Sequence, residues 1–452
     1  MTAQTLAADV TGISVGSAVH DLRRTFRGAV HAPGDDEYDA QRQALNPALD
    51  PRPVVVAEAS TAADVRAAVL TAREYDLPLA VQSTGHGTLV PSHGGVLLKT
   101  SRMAQVLVDP DRRIARVGPG ARWSDVIAAA EVFGLAPLSG DTPSVGVVGY
   151  TLGGGLSWLS RTYGFAADSL LRAEIVTAEG RLFRADTHRN PDLFWALRGG
   201  SGNFGVVTSL EFRLYPVESV YGGVALFPID RAADVIGHYA EHADERPDEL
   251  TLSLVAMRRS PVEGVDGPVL AVRGAYAGDA TRARRAMRPL WDVAGTPLVD
   301  GFRTMSYAET RTIGGTPPRQ FEMFDDLPGT LIETAIDSVI REDSGVNALE
   351  IREWGGAMAN PTHESPGPVG HREVPFTIKM DASAEGAAPL TAYATGGSYL
   401  NFLHDATRTH AAYTEANYPL LRDIKRAYDP DNVFRLNHNI PPSPQHRWVT
   451  AS

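Results

Sequence analysis

Hydrophobic positions near the start of the chain recur with two different periods. Short apolar runs at Val54–Val56 and Leu79–Val81 have the length of buried strands. Between them, apolar residues recur every three or four positions, as in a helix: Val65, Ala68, Val69 and Ala72. A serine–threonine pair followed by Asp64 is typical of a helix start, and Pro78 ends the segment. The pattern therefore predicts a strand–helix–strand unit.

The chain up to Pro216 continues with short helices, turns and a hairpin. Gly118–Gly120 predict a turn into a helix that ends near Gly134. The run AEIVTAEGRLFRAD predicts a β-hairpin that turns at Glu179–Gly180. The stretch PDLFWALRGGSGNFGVVTSLEFRLYP predicts a short helix, a glycine loop and a strand that ends at Pro216.

Residues 217–398 show a different pattern. The segments LTLSLVAMR and PVLAVRGAYAG predict strands, and DRAADVIGHYAEHA predicts a helix. We expect an antiparallel sheet with helices on one face, a separate α+β layer. Residues 400–452 are polar, helical and then turn-like, and we expect Lys425, Arg426 and Asp429 to lie on a solvated helix face.

Composition excludes several classes of function. The chain has 452 residues, 43% of them hydrophobic and 21% charged, which is typical of a globular protein with about two or three domains. A net charge of −12 without any basic run argues against nucleic acid or a membrane as a partner. The chain has no cysteine, so disulfides, thiolate metal sites and cysteine nucleophiles are excluded. Because the N-terminus lacks a secretory pattern and no apolar run has membrane-spanning length, we expect a cytoplasmic protein.

Glycine is concentrated in three loops, at residues 85–87, 140–155 and 199–205. Such loops let backbone amides approach a ligand closely, so together they predict a long ligand, a dinucleotide held mostly by backbone groups. Gly200–Gly205 fits the GxGxxG pattern, but an apparent helix precedes it and a strand follows, the reverse of a nicotinamide-binding turn. For Gly153–Gly155 alone, a tight turn under a packed helix is the alternative.

Several stretches carry a resemblance to a known family: QSTGHG around His86, GDTPSVGVVGYTLGGGLSWLSRTYG, NPDLFWALRGGSGNFGVVTSLEFRLYP, YLNF and YDPDNVFRLNHNIPP. In this order, they resemble the vanillyl-alcohol-oxidase superfamily of FAD enzymes with the PCMH-type fold, in its berberine-bridge-enzyme-like branch. The resemblance implies a two-lobed α+β fold: an FAD-binding lobe of two α+β subdomains, and a substrate lobe whose antiparallel sheet is flanked by helices. We expect residues 1–216 to form the FAD-binding domain, 217–399 the substrate-binding domain, and 400–452 a berberine-bridge-like segment that returns to the FAD lobe.

The resemblance implies that FAD is bonded covalently, through its 8α-methyl carbon, to His86. Glycines at positions 85 and 87 keep Cβ atoms away from the flat ring edge that the imidazole has to reach. Some relatives have a second link from a cysteine where this chain has Thr142, so we expect a single 8α-histidyl link and no cysteinyl link. Val145 corresponds to the residue beside the oxygen-reactive face of the flavin, and its compact side chain favours an oxidase over a dehydrogenase.

The resemblance assigns further FAD contacts to the glycine loops and the C-terminal segment. The expected FAD-binding residues are His86, Ser83, Thr84, Gly85, Gly87, Thr88, Thr142, Val145, Gly146, Gly149, Tyr150, Gly153, Gly154, Gly202, Asn203, Gly205, Val206, Tyr399, Asn401, Asn437 and Asn439. The amides of Asn437 and Asn439 are expected to hydrogen-bond in the flavin region. No metal is expected, because His404, Asp405 and His410 lack the spacing of a metal site.

The usual catalytic base of these relatives is missing. Many relatives use the second tyrosine of a YxNY motif, and this position is Phe402 here, which cannot take a proton. Tyr399, the first tyrosine, is expected to orient substrate or flavin. A glutamate that other relatives carry on a later strand aligns near Ile378.

The segment NALEIREWGGAM offers a replacement. Strand period 2 places Glu350, Arg352 and Trp354 on one face. Glu350 with Arg352 is a candidate base and its tuner, or a substrate anchor; an ordinary ion pair along a strand is the alternative. We favour the catalytic role because the resemblance points this strand at the flavin, and we assume that the Glu350 face is the one that does so.

Together these features predict an FAD-dependent oxidase. It would take a hydride from a C–H bond next to O or N of a small organic substrate, with O2 as the acceptor and H2O2 as a product. Candidate substrates are a sugar, an alkaloid-like amine or a polyketide alcohol, which suggests secondary metabolism. The alternatives are a flavin-dependent oxygenase that acts on an enol-like or polyketide substrate through a flavin–oxygen adduct, and a flavoprotein without turnover. The sequence leaves the oligomeric state open.

Overall fold

Three β-sheets organise the residues that the computed structural model of the chain describes, 15–361 and 366–444. Two sheets lie in residues 29–213 and form the first lobe, and the third, in residues 219–382, forms the second lobe. Each sheet packs its own hydrophobic core. The chain therefore has the two-lobed α+β architecture that the family resemblance implies. Among the described helices, none is both long enough and apolar enough to cross a bilayer.

The first sheet is mixed. Its strands are β1 (Ala29–His31), β2 (Val55–Glu58), β3 (Leu79–Gln82) and β4 (Val96–Lys99). Strands β2 and β3 are both parallel to β4, which lies between them, and β1 is antiparallel to β2. Helix Ala62–Glu74 joins β2 to β3 and starts with a capping box between Thr61 and Asp64. The predicted strand–helix–strand unit is confirmed, with a further strand placed between its two ends.

The second sheet is antiparallel and supports the glycine loops. Its strands are β5 (Val106–Asp109), β6 (Ile114–Val117), β7 (Leu170–Val176), β8 (Leu182–Ala185) and β9 (Val206–Arg213), in the order β5–β6–β9–β7–β8. The β7–β8 hairpin turns at Gly180, as predicted. Helices of the first lobe are residues 15–25, Tyr38–Gln41, Ala62–Glu74, Trp123–Glu131, Val147–Leu152, Ser160–Tyr163 and Pro191–Leu197.

The third sheet is antiparallel and forms the second lobe. Its strands are β10 (Ser219–Pro228), β11 (Leu250–Met257), β12 (Val269–Tyr276), β13 (Val299–Asp300), β14 (Arg303–Ser306), β15 (Gln320–Phe324), β16 (Val346–Glu353) and β17 (Phe376–Ala382). The order is β13–β10–β12–β11–β16–β17–β15, with β14 paired to β10. The helices Ala232–Glu241, Ala280–Ala294, Gly329–Ile340 and Ala384–Thr391 pack on one face. The predicted sheet with helices on one face is confirmed.

Successive side chains of β16 and β17 point to opposite faces of the sheet, so only every second one lies in the helix-covered core. Leu349, Ile351 and Ile378 pack under the helices. Glu350 and Arg352 therefore point to the opposite face, where the Arg352 guanidinium lies 4.2 Å from the Trp158 ring of the first lobe. The Glu350 face is thus the one that faces the first lobe, and its orientation toward the flavin stays a prediction.

The C-terminal segment returns to the first lobe. After helix Asn417–Tyr428, the Val433 carbonyl accepts a hydrogen bond of 3.1 Å from the Leu79 amide at the start of β3. Phe434 packs into the core of the first sheet, and Ile440 packs into that of the second. The predicted domain boundaries at residues 216 and 399 stay predictions.

The prediction that Lys425, Arg426 and Asp429 lie on a solvated helix face is wrong for Lys425 and Asp429. Lys425 and Asp429 are fully buried and form an ion pair with an Nζ–Oδ2 distance of 2.5 Å. Lys425 also donates to the Asn203 carbonyl, and Asp429 accepts the amides of Val433 and Phe434. These hydrogen bonds offset part of the cost of burying the two groups. The ion pair fastens the helix to the glycine loop at residues 199–205.

Candidate active site

His86 lies in an exposed turn between two hydroxyl groups. Gly85 has φ +85°, a left-handed conformation that glycine adopts without strain, and it turns the chain after β3. The Nδ1 atom of His86 is 3.0 Å from the Thr84 hydroxyl, and its Nε2 atom is 3.2 Å from the Ser144 hydroxyl. Ser144 comes from the second glycine loop, so two separate sequence motifs meet at this imidazole.

The surroundings of His86 favour a neutral imidazole. Partial burial, and after it the charge of Arg122, lowers the pKa of His86 below its usual 6.5. A neutral imidazole has a free lone pair, which a protonated ring lacks. His86 is therefore in the state that a nitrogen needs to bond to carbon.

The loop that carries Ser144 packs against the residues before His86. The Gly146 amide donates a 3.2 Å hydrogen bond to the Thr84 hydroxyl, and a Cβ at Gly146 would lie 3.1 Å from the Ser83 hydroxyl. Thr142 is exposed and Val145 is half-buried in the same loop. The predicted FAD-binding residues Ser83, Thr84, His86, Thr142, Val145 and Gly146 therefore lie together. Thr88 belongs to the same turn, where its amide donates to the Gly85 carbonyl.

The predicted glycines fall into two groups. At Gly87 and Gly149, a built Cβ would meet no atom within 4 Å, and at Gly202 it would meet only the Asn437 amide at 4.0 Å. At Gly153 and Gly154 it would collide with Asn401 and Tyr399, at 2.8 and 2.7 Å. The first group lines open space into which a ligand can pack, whereas the second lets two side chains of the C-terminal segment approach the backbone. Gly153 and Gly154 thus fit the tight-turn alternative.

Buried polar atoms without a partner mark where a polar ligand fits. Among the described residues they include the hydroxyls of Ser83, Tyr150 and Thr151 and the amide oxygens of Asn437 and Asn439. Buried polar groups are nearly always hydrogen-bonded, so these five atoms call for an external partner. They lie on the loops around His86, around Gly149 and in the C-terminal segment. A long ligand with many polar groups, such as FAD, satisfies this arrangement.

Three of the predicted FAD contacts serve the protein itself. The Asn203 side chain is fully buried and bonds the carbonyls of Gly200 and His438 and the amide of Ile440. Val206 packs in the core of the first sheet, and a Cβ at Gly205 would lie 2.5 Å from the Val176 carbonyl. These residues shape the glycine loop rather than presenting side chains to a ligand. The family motif revealed their positions but not this division of roles.

Tyr399 and Asn401 pack onto the second glycine loop. The Asn401 side chain accepts from the Gly155 amide and donates to the Tyr150 carbonyl. Tyr399 stacks on Phe165 at 5.5 Å and meets the edges of Trp354 and Phe402. Burial raises the pKa of Tyr399 well above 10, so its hydroxyl stays protonated at neutral pH. Tyr399 can orient a ligand as a neutral phenol, and it does not supply a base.

Glu350 is fully buried and is surrounded by three cationic side chains. We call these four residues the β-sheet charge cluster: Glu350, Arg352, Lys379 and Arg273. Its Oε1 atom lies 3.0 Å from Lys379 and 3.1 Å from Arg352, and its Oε2 atom lies 3.6 Å from Arg273. The Thr316 amide also donates to Oε2. Burial raises the pKa of Glu350, but the three cations outweigh burial and lower it to about 2.

This geometry changes the role that we expect for Glu350. A carboxylate whose conjugate acid has a pKa of about 2 is a weak base at neutral pH. Glu350 instead holds the three cations in place, and is a positioning residue. Arg352 shares its face, as predicted.

The sequence analysis missed Lys379 and Arg273. Alignment placed the expected glutamate near Ile378, but Ile378 packs under the helices, and the neighbouring Lys379 points to the open face. The Lys379 ammonium lies 5.3 Å from the centre of the Phe402 ring. Period 2 along FTIKM would have indicated Lys379, whereas the approach of Arg273 from β12 depends on strand order, which the sequence does not give.

Comparison with known proteins identifies two matching families and several related proteins. Residues 53–186 match the family described as FAD binding domain, and residues 398–441 match the family described as Berberine and berberine like. The chain is 29% identical to (R)-6-hydroxynicotine oxidase of Paenarthrobacter nicotinovorans, over 92% of this chain and 97% of that protein. It is 34% identical to the FAD-dependent monooxygenase FUP4 of Fusarium proliferatum, over 56% of this chain and 48% of that protein.

A solved structure shares the whole fold. The crystal structure of 6-hydroxy-D-nicotine oxidase from Arthrobacter nicotinovorans superposes with a TM-score of 0.80 at 27% identity, over 92% of this chain and 98% of that one. The fold, the two family matches and the polar lining of the glycine loops together define a PCMH-type FAD-linked oxidoreductase. Within that class, the match at residues 398–441 and the relatives support a berberine-bridge-enzyme-like enzyme, and the relatives support an FAD-dependent oxidase.

Proposed function

We propose that this protein is an FAD-dependent oxidase whose FAD is attached covalently and only through His86. The observation that carries the proposal is the position of the His86 imidazole between the hydroxyls of Thr84 and Ser144, where burial lowers its pKa. The absence of cysteine from the chain leaves no thiol for a second link. FAD, when bound, supplies the hydride acceptor and the electrons that reduce O2 to H2O2.

The residues of the chain hold substrate and exclude water. The aromatic cluster of Phe165, Trp354, Tyr399 and Phe402 forms an apolar wall beside the second glycine loop. The β-sheet charge cluster lies next to it, since the Lys379 ammonium faces the Phe402 ring. A substrate between the two lobes therefore meets an apolar wall and a set of buried cations, a combination that fixes its orientation.

Glu350, the candidate base of the sequence analysis, and two tyrosines near the second glycine loop are poor bases at neutral pH. Glu350 has a pKa of about 2, and burial raises the pKa of Tyr150 and Tyr399 well above 10. The oxidised bond is therefore one that loses a hydride without strong base assistance. A C–H bond beside an amine nitrogen, or beside an oxygen that is already ionised, meets this condition. A neutral sugar alcohol meets it less well.

Acid denaturation tests the covalent link between His86 and FAD, which we call the tether. We expect the denatured chain to stay yellow and to gain the mass of one FAD, and His86→Ala to release its flavin into the acid supernatant. Ser144→Ala is a milder variant that keeps the imidazole. If wild-type protein loses its colour in acid and has the mass of bare polypeptide, the tether is disproved.

Reoxidation tests the oxidase. Anaerobically reduced protein should regain the absorbance of oxidised flavin within seconds of mixing with air, and release one H2O2 per flavin. A search for substrates by peroxide release then follows, with alkaloid-like amines, polyketide alcohols and sugars compared. Slow reoxidation over many minutes would contradict the oxidase and leave a dehydrogenase or a flavoprotein without turnover.

A monooxygenase is the second candidate function. It is supported by the lack of a strong base in the charge cluster and by the similarity to the Fusarium proliferatum monooxygenase over 56% of this chain. An enol-like substrate ionises without a strong base and then reacts as a nucleophile. Reaction under labelled dioxygen separates the two functions, because only an oxygenase puts oxygen-18 into the organic product.

A further inference from the structure

The register of the third sheet places polar side chains side by side on its open face. Ser253 of β11 pairs with Arg273 of β12 on one side and with Arg352 of β16 on the other. Cross-strand partners lie about 5 Å apart, so the three side chains form a row. On the next row, Glu350 pairs with Lys379 of β17. The row and the β-sheet charge cluster thus form one polar surface.

This surface presents hydrogen-bond donors without partners. The Ser253 hydroxyl and the Nε groups of Arg273 and Arg352 are buried and bond to no other group of the described residues. Side chains of Ser253 and Arg352 are at least nine-tenths buried. Guanidinium and ammonium groups only donate, so a ligand here has to supply acceptors.

The charge on this surface is also unbalanced. Three cations contact one carboxylate, Glu350, which leaves two positive charges in excess. Uncompensated buried charge is costly, so the cluster favours a ligand that is itself an anion.

We propose that the β-sheet charge cluster with Ser253 is the substrate-recognition subsite, and that it binds a carboxylate carried by the substrate. The substrate is then a small organic acid. Its carboxylate lies between Arg273 and Arg352 and accepts a hydrogen bond from the Ser253 hydroxyl. Arginine forks match carboxylates in geometry as well as charge. The apolar wall at Phe402 receives the rest of the molecule. This inference rests on the proposed function, because it names the substrate class of that oxidase.

Benzoate and benzamide test the subsite on the FAD-loaded protein. Both probes have one ring and nearly the same shape, but only benzoate is an anion. Binding is followed by the change in visible flavin absorbance and by calorimetry. We expect benzoate to bind at least about tenfold more tightly than benzamide. Equal affinities would overturn the proposal.

Variants locate the binding. Arg273→Met should weaken benzoate binding about tenfold and leave benzamide unchanged, since only the charged partner is lost. Arg285→Met removes an exposed arginine on the helix Ala280–Ala294, on the other face of the sheet, and should change neither. If Arg273→Met leaves benzoate binding intact and instead lowers the affinity of the flavin for sulfite, the cations serve the flavin and the proposal is wrong.

Ser253→Ala keeps the test valid if Arg273→Met fails to fold. The Ser253 hydroxyl has no partner among the described residues, so its removal should leave the thermal midpoint unchanged or higher. Benzoate binding should nevertheless weaken by about threefold. Unchanged benzoate affinity in Ser253→Ala would contradict the placement of the carboxylate. Reoxidation by air needs no ligand, so fast reoxidation without benzoate preference overturns the subsite and not the oxidase.

Discussion

At the scale of single residues, the two hydroxyls around His86 decide how readily the tether forms. Thr84→Val removes the group that meets Nδ1 but keeps the volume of the side chain. After apoprotein of this variant is incubated with FAD, we expect a smaller fraction of chains to carry covalently bound FAD than in wild type. Mass spectrometry of the intact chain measures this fraction. Thr304→Val, at an exposed position of β14 in the second lobe, is the control. An unchanged fraction in Thr84→Val would show that this hydroxyl does not position the ring.

The tether should also depend on pH with a definite sign. The pKa of His86 lies below its usual 6.5, so the ring is neutral above that pH and becomes protonated only under more acidic conditions. Attachment of FAD to apoprotein should therefore be independent of pH above 6.5 and slow down at lower pH. A rate that instead falls as the pH rises through neutrality would contradict a neutral imidazole nucleophile.

Glu350 makes a residue-scale prediction about stability. Glu350→Gln leaves three buried cations without their carboxylate and should lower the free energy of unfolding by about 3–5 kcal/mol at neutral pH. The carboxylate has a pKa of about 2 in the folded state against 4.5 ordinarily, so its contribution is complete above pH 4.5 and is lost as the pH falls toward 2.

Urea unfolding at several pH values checks this sign. The stability gap between wild type and Glu350→Gln should narrow as the pH falls below 4.5, because protonation of Glu350 removes the same charge. Glu263→Gln, at an exposed loop position, should show no such gap. A gap that stays constant down to pH 2 would show that Glu350 is not held as a carboxylate by its neighbours.

At the scale of elements, helix Val147–Leu152 and the glycine loop after it respond oppositely to alanine. Gly154→Ala forces φ +122° on a residue with a Cβ and collides with the Tyr399 hydroxyl, which should destabilise the apoprotein by about 1–3 kcal/mol. Gly149→Ala meets no atom within 4 Å and gains helix propensity, so apoprotein stability should hold or rise by about 1 kcal/mol.

FAD loading separates the same two variants. Gly149→Ala should reduce FAD binding, because its Cβ enters space that we assign to the cofactor, whereas its thermal midpoint without FAD stays high. The measurements are thermal unfolding of the apoprotein and flavin content after loading. Normal loading in Gly149→Ala would remove Gly149 from the FAD-binding residues.

At the scale of the whole molecule, a buried ion pair joins the lobes. Asp168, in the first lobe, receives two hydrogen bonds of 2.7 and 3.0 Å from Arg372, which precedes β17 in the second. Arg372→Met removes the paired guanidinium of the buried Asp168 carboxylate, which keeps the Phe165 amide, and should cost about 3–5 kcal/mol. We expect calorimetry to resolve separate transitions for the two lobes where wild type shows one.

The double variant Asp168→Asn with Arg372→Met is the matched control. It removes both charges, so it should recover a large part of the stability that Arg372→Met loses. A single transition at the wild-type midpoint in Arg372→Met would mean that the pair does not couple the lobes. Tyr307, which bonds Ser139 and Ser157 across the same interface, would then be the next contact to remove.

The two-lobed arrangement was implied by the family resemblance, whereas local patterns in the sequence predicted many of the elements, because each depends on residues close together in the chain. The strand–helix–strand unit, the β7–β8 hairpin and the face shared by Glu350 and Arg352 are of this kind. The charge cluster depends instead on the order of β12, β11, β16 and β17, which are widely separated in sequence. The prediction for Lys425 and Asp429 was wrong for a related reason. An i,i+4 pair of opposite charges has the same spacing in the sequence whether it is solvated or buried.

The path of the chain also sets an order of assembly during biosynthesis. The Leu79 amide at the start of β3 can form its hydrogen bond only after the Val433 carbonyl has been synthesised. Phe434 likewise completes the core of the same sheet. On the ribosome, the second lobe is complete as a contiguous stretch well before those residues emerge. Newly made chains should therefore hold a finished second lobe and an incomplete first one until Val433 and Phe434 emerge, and they should capture flavin only after that segment has docked.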